Sequence, residues 1–174
     1  MANEAVASLP APVWLRETTL GYEHGLYFAS GNVAATDLRG LSFPKNAGGT
    51  YNTTFVIPLG VLTTGLTFKG LVWDDGADAS DLGKVVRFGI TIKRLIAAET
   101  VDMDTAAGTE QTVDVTLQAT SGAASLLSLA IANANLDSAA VGDTVAIRFR
   151  RVSTATQDTC NGRVIVSGLG VVGT

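Results

Sequence analysis

The sequence predicts an all-β protein, an antiparallel β-sandwich of jelly-roll or Greek-key type with an extended N-terminal arm. Three observations carry this. Apolar residues recur at period two in successive short runs, each run closes on glycine, asparagine or aspartate, and no helical stretches are interleaved between them. The 19 glycines among 174 residues stand above the usual share of about 7%, and threonine and valine are abundant, as strands joined by tight turns require. The expected division is an arm over residues 1–45 and a sandwich domain over residues 46–174.

The arm holds three of the four prolines, Pro10, Pro12 and Pro44, and scattered large apolar residues at Val13, Trp14, Leu20, Tyr22, Leu26, Tyr27 and Phe28. A solvated linker would not expose Trp14 and Tyr27, so these side chains are expected to be buried against a neighbouring subunit or the chain's own sandwich.

Beyond the arm, Tyr51 to Ile57 is an apolar, β-branched run. Between Gly65 and Asp74, Leu66, Phe68 and Val72 share one face while Thr67, Lys69, Leu71 and Trp73 occupy the reverse. From Lys84 to Ile92, Val86, Phe88, Ile90 and Ile92 oppose Val85, Arg87, Gly89 and Thr91. Val113, Val115 and Leu117 oppose Asp114 and Thr116 in the next run, and Val145, Ile147 and Phe149 oppose Arg148 and Arg150 in a later one. Arg163 to Val172 closes the set. Ser121 to Asp137 is ambiguous: its leucines and alanines tolerate a helical stripe, while Leu127, Leu129 and Ile131 alternate with Ser128 and Ala130. A strand over Ser125–Ala132 is favoured because every neighbouring run is a strand.

Composition bounds the function less than the fold. With 47% hydrophobic and 16% charged residues the chain suits one globular domain, and folding at this length removes roughly 70% of the unfolded surface from water. A net charge of -4 gives no general attraction to a phosphate backbone, so no nucleic-acid partner is expected. Cys160 alone cannot form an internal disulfide, and with His24 as the single histidine no Cys/His zinc cluster can assemble. Both facts fit folding in a reducing cytosol. The opening Met1-Ala2-Asn3-Glu4 lacks a basic region and no window approaches the roughly 20 apolar residues of a membrane span, so neither a signal peptide nor a membrane partner is expected.

Candidate chemistry is sparse. Asp74, Asp75, Asp78 and Asp81 bring four carboxylates into one short run, which could attract a hard cation but lacks the ligand spacing of an EF-hand loop and reads as a turn. Asp102 and Asp104 flank Met103 in another turn. His24 has no nucleophile in a recognisable elbow, and no phosphate-binding glycine motif is present, so no catalytic residue, metal or cofactor is expected. Arg148, Arg150 and Arg151 gather three cations at one strand, available to an acidic partner or to pairing with aspartates of neighbouring strands or Asp158. Cys160, beside the Asn161-Gly162 turn, reads as an inert small residue.

From Leu41 to the C-terminus the sequence resembles small β-sandwich virion proteins of tailed bacteriophages, notably jelly-roll capsid decoration proteins and head- or tail-fibre modules. The residues carrying the resemblance are Tyr51-Asn52-Thr53-Thr54-Phe55-Val56-Ile57-Pro58, the Gly65-Leu66-Thr67-Phe68 strand ending in Trp73-Asp74, and the string Val141 to Arg151. A polar loop with Asp158 and a last strand from Val164 to Val171 follow. The loop between Arg151 and Asn161 carries one acid where similar modules hold several.

The resemblance implies a non-enzymatic capsid decoration protein, made in the host cytoplasm and located on the virion surface. Its partners would be the major capsid protein and other copies of itself, as a homotrimer. Trp14, Leu20, Tyr22, Tyr27 and Phe28 would be the arm's anchors, since aromatic side chains dominate interface energies. The alternative is a fibre module binding a host-surface carbohydrate. That reading needs an exposed aromatic platform plus polar side chains, for which Trp73 beside the acidic run is the visible nucleus, and a glycan array with no hits together with a buried Trp73 would exclude it.

Overall fold

A computed structural model describes residues 5–7, 15–18, 21–24, 40–45, 50–56, 65–74, 79–96 and 108–173; for residues 5–7, 15–18, 21–24, 52–56 and 172–173 it describes the backbone. The described strands are β1 (Ala5–Ala7), β2 (Leu15–Thr18), β3 (Gly21–His24), β4 (Leu41–Phe43), β5 (Thr50–Val56) and β6 (Gly65–Asp74). They continue with β7 (Val85–Arg94), β8 (Gln111–Thr116), β9 (Ser125–Ala132), β10 (Thr144–Arg151) and β11 (Val164–Gly173). Single 3-10 turns at Ala79–Asp81 and Asn133–Asn135 are the helical elements among the described residues.

All pairings are antiparallel and form two sheets. One has five strands, ordered β1-β11-β6-β9 with β4 also on β11; the other has six, ordered β3-β2-β5-β10-β7-β8. From β4 onward the two sheets read β4-β11-β6-β9 and β5-β10-β7-β8, the strand order of a jelly roll. The all-β sandwich expected from the alternation is the fold observed.

The period-two runs produce this packing directly. In β9, burial alternates without exception, with Ser125, Leu127, Leu129 and Ile131 buried and Leu126, Ser128, Ala130 and Ala132 exposed. A helix would have spread those four buried residues around its circumference, so the strand reading of Ser125–Ala132 holds. Val86, Phe88, Ile90 and Ile92 of β7 face Leu66, Phe68 and Val72 of β6 across the core, every one at 1% exposure or less. Phe43 stands at the centre of an aromatic cluster, with ring centroids 4.8 Å from Tyr51, 5.4 Å from Phe88 and 5.1 Å from Phe149. Tyr51 brings a polar atom into this core and satisfies it there: its hydroxyl donates to the Ser42 carbonyl at 2.6 Å and accepts from the Ser42 N–H at 3.0 Å.

Described residues on the arm side of the expected boundary at residue 45 take part in the sandwich. Leu41 and Phe43 are core residues, and β4 pairs with β11 through Phe43↔Val164, Ser42↔Ile165 and Leu41↔Val166. The described parts of the first quarter are likewise strands of the chain's own sheets, β1 on β11 and β2 on β5. Just before β4 the backbone at Gly40 lies so close to the Val166 carbonyl that a Cβ there would collide with it. In β11 a bulge falls between Ser167 and Gly170, where Gly168 takes a left-handed φ of 60°.

Candidate functional site

Strand alternation places Trp73 on the outer face of the five-stranded sheet, and register arranges its neighbours in rows. Ile165 of β11 lies opposite Trp73; Ser167, Leu71 and Leu126 form the next row across β11, β6 and β9; Lys69 and Ser128 form the third. Trp73 is half-buried, while Phe43, Tyr51, Phe68, Phe88 and Phe149 are completely buried, so Trp73 alone among the described aromatic side chains is left outside the core. Beside it, Leu71 is 41% and Leu126 65% exposed. This face therefore combines an indole, two exposed aliphatic side chains, the Ser128 and Ser167 hydroxyls and the Lys69 ammonium.

The outer face of the six-stranded sheet has a different chemistry, because it carries several cations paired with carboxylates. Arg87 of β7 makes a bidentate pair with Asp114 of β8 at 2.6 and 2.7 Å, and Arg150 of β10 makes one with Glu110 at 2.6 and 2.8 Å. Glu110 reaches Arg150 by crossing Gly89, where any Cβ would meet its carboxylate. Lys93 meets Asp137 at 3.2 Å, while Arg94, on the inward parity at the far end of β7, meets Asp143 at 2.8 Å. The Arg87 guanidinium holds the Asp114 carboxyl below its ordinary range, and the Ala140 N–H, aided by Arg94, does the same for Asp143.

The arginine cluster divides between the two faces. Arg150 projects outward, while Arg151 continues the inward series of Val145, Ile147 and Phe149 and is completely buried with Asp158. All five of its N–H donors are used. Nε and Nη2 hold the Asp158 carboxylate at 2.8 Å each, Nη1 donates to the Phe43 carbonyl at 3.2 Å and the Gly162 carbonyl at 2.6 Å, and Nη2 also donates to the Cys160 carbonyl. Burial by itself lowers the proton affinity of this guanidinium; Asp158, with Cys160, more than offsets that and holds it above the ordinary value. The clamp ties the loop after β10 to β4 and to the start of β11. It is a structural centre, and period two carried far enough along β10 would have placed Arg151 inside.

The two described carboxylates of the acidic run each have a separate backbone partner. Asp74 is buried and accepts the Gly122 N–H at 3.3 Å, and Asp81 is buried and accepts the Asn161 N–H at 2.7 Å. Asp75 and Asp78 lie outside the described residues, as do Asp102 and Asp104. Among the described residues no group of three or more His, Cys, Asp or Glu is placed to hold a metal ion. Cys160 is fully buried, and burial pushes its thiol up to about 11. His24 and Tyr22 lie in β3, whose side chains are outside the described residues, and the proposed anchors Trp14, Leu20, Tyr27 and Phe28 lie outside them altogether. Among the described residues no helix is long and apolar enough to cross a membrane.

No family model and no curated protein sequence matches this chain. Among solved structures, the chain is similar to the carbohydrate-binding module TmCBM61 in complex with β-1,4-galactotriose, at 10% sequence identity and a TM-score of 0.37. The match covers 83% of this chain and 77% of that one. Likeness at this level fixes neither ligand nor role.

Proposed function

We propose that the protein is a non-catalytic binding module that takes a carbohydrate on the outer face of its five-stranded sheet. The observation that supports this is the position of Trp73, the one described aromatic side chain the sandwich leaves partly in solvent. An indole held at the surface of a rigid sheet offers a flat apolar area on which the C–H face of a pyranose can stack, with little conformational entropy to lose. The Ser128 and Ser167 hydroxyls and the Lys69 ammonium lie on the same face to meet sugar hydroxyls. A glycan array followed by calorimetry tests the reading. A hit is expected whose affinity falls at least tenfold in Trp73→Ala with no loss of thermal stability; an empty array, or equal binding by the variant, overturns it.

A second reading, adhesion to the coat of a tailed phage, draws on the sequence resemblance and on Leu71 and Leu126, since exposed aliphatic pairs suit a protein partner better than a sugar. Co-sedimentation with expanded capsids, abolished by Leu71→Ser with Leu126→Ser, is its expected result.

A further inference from the structure

Strand β9 ends the five-stranded sheet: among the described residues it pairs with β6 along one edge and with no strand along the other. A row of main-chain donors and acceptors on such an edge is a template for another extended strand, and proteins ordinarily protect it with charge, proline or a bulge. β9 carries none of these, although β8 of the other sheet packs beside it and the Ser125 hydroxyl donates to the Thr116 carbonyl at 2.7 Å. Its eight residues, Ser125-Leu126-Leu127-Ser128-Leu129-Ala130-Ile131-Ala132, include no charge, proline or glycine, and its pairing to β6 runs in unbroken register. One edge strand of the other sheet, β8, is shorter and carries Asp114, tied to Arg87.

We infer that β9 is a self-association edge, pairing antiparallel with β9 of a second copy about a two-fold axis to make one sheet continuous through both. The choice of a second copy follows from charge and parity. About a two-fold, a strand meets itself, so any charged residue near the axis would face a like charge; an uncharged strand meets no such penalty. Directly opposed residues share a face, so a register pairing residues whose numbers sum to an even value keeps Leu127, Leu129 and Ile131 of both copies on the core side. Registers centred on Ser128 or Leu129 satisfy this. In the first, Leu126 lies opposite Ala130 of the second copy, and in the second opposite its Ala132, so an exposed leucine gains an apolar neighbour in either. The inference goes beyond the carbohydrate reading and does not depend on it. If both hold, the dimer carries two Trp73 faces on one rigid sheet, favouring ligands with repeated units.

The test is sedimentation velocity of the 174-residue chain across a concentration series, without any glycan. The expected species is a dimer of twice 17.9 kDa. Ser128→Glu with Ala130→Glu, and separately Ser128→Lys with Ala130→Lys, put like charges opposite or diagonal to one another in both registers, so each variant alone is expected to dimerise at least about tenfold more weakly. An equimolar mixture of the two is expected to recover the dimer, since the charges then attract. The Glu variant also sets its residue 128 opposite Lys69 within its own sheet, which favours folding. Should the Lys variant fail to fold, hydrogen exchange on the unaltered protein is expected to show protection over residues 125–132 rising with concentration. A wild-type monomer at every concentration overturns the inference. So does an assembly other than a dimer, a Glu variant that dimerises undiminished, a mixture of folded variants that stays monomeric, or exchange over β9 that ignores concentration.

Discussion

Replacing Asp158 with asparagine keeps the shape of the buried clamp and removes its charge. Two of the five Arg151 donors then face an amide that can accept only one of them, and the guanidinium remains at zero exposure without a counter-charge. Breaking a buried ion pair from one side costs about 3–5 kcal/mol. At about 2–4 °C per kcal/mol for a chain of this size, the melting temperature is expected to fall by roughly 6–20 °C. Glu110→Gln is the control: it removes an equally short bidentate pair to Arg150, but one with side chains 36% and 26% exposed, where solvent limits the loss to about 0.2–1 kcal/mol. A third variant separates the ion pair from its setting. Arg151→Met with Asp158→Leu removes both charges, a change that is often neutral when the pair is all there is. Here it would strip donors from the Phe43, Cys160 and Gly162 carbonyls, at about 1–3 kcal/mol for each one left buried and unmet, so it is expected to remain destabilised. Urea and thermal unfolding followed by circular dichroism measure all three. If Asp158→Asn melts with Glu110→Gln, or if the double variant matches the wild type, Arg151 is not the clamp described.

Phe43→Ala is expected to cost about 3–5 kcal/mol, because the ring sits within 5.4 Å of three other aromatic centroids and at zero exposure; a chain beginning at residue 46 should show no cooperative melt. The Cys160 thiol should resist iodoacetamide at pH 8 in the native protein and react once urea unfolds it, and rapid native alkylation would contradict its burial. Its raised value also sets a sign. An unfolded thiol ionises near 9.0 and the folded one at about 11, so the unfolded state releases its proton first and stability falls as pH rises through that interval, by up to about 2–3 kcal/mol; Cys160→Ala should abolish that part of the alkaline slope.

What the sequence made legible was local. Alternation over eight or ten residues assigned β6, β7, β9 and β10 and put Trp73, Leu71 and Lys69 outside, because a strand's faces are fixed by parity alone. Three residues are too few to alternate: Leu41-Ser42-Phe43, ending at Pro44, reads as the end of the arm, and its place in the core comes from pairing with Val164–Val166 at the far end of the chain. Arg151 shows the same limit from the other side. Parity carried one residue further would have placed it inward, but arginine's ordinary preference for solvent argues against that. The acceptors that resolve the conflict, Phe43, Asp158, Cys160 and Gly162, come from separate segments that only the folded sandwich brings together.

The two outer faces differ in a way that bears on recognition. On the six-stranded sheet, the outward Arg87, Lys93 and Arg150 are each matched by a carboxylate of the same chain, so a charged ligand approaching one of them would have to displace a pair already formed. On the five-stranded sheet, the rows around Trp73 hold Lys69 as the one described charge, with exposed leucine on either side of the β6–β9 ladder. A ligand there displaces mainly water from apolar surface, which favours association. The uncharged β9 edge borders that same face. A second copy added along β9 would lengthen the platform in its own plane, whereas a partner stacked on the face would cover Trp73. Edge pairing and face binding are therefore compatible, and a glycan too short to reach two Trp73 sites that binds without shifting the monomer–dimer equilibrium would be the expected sign of both.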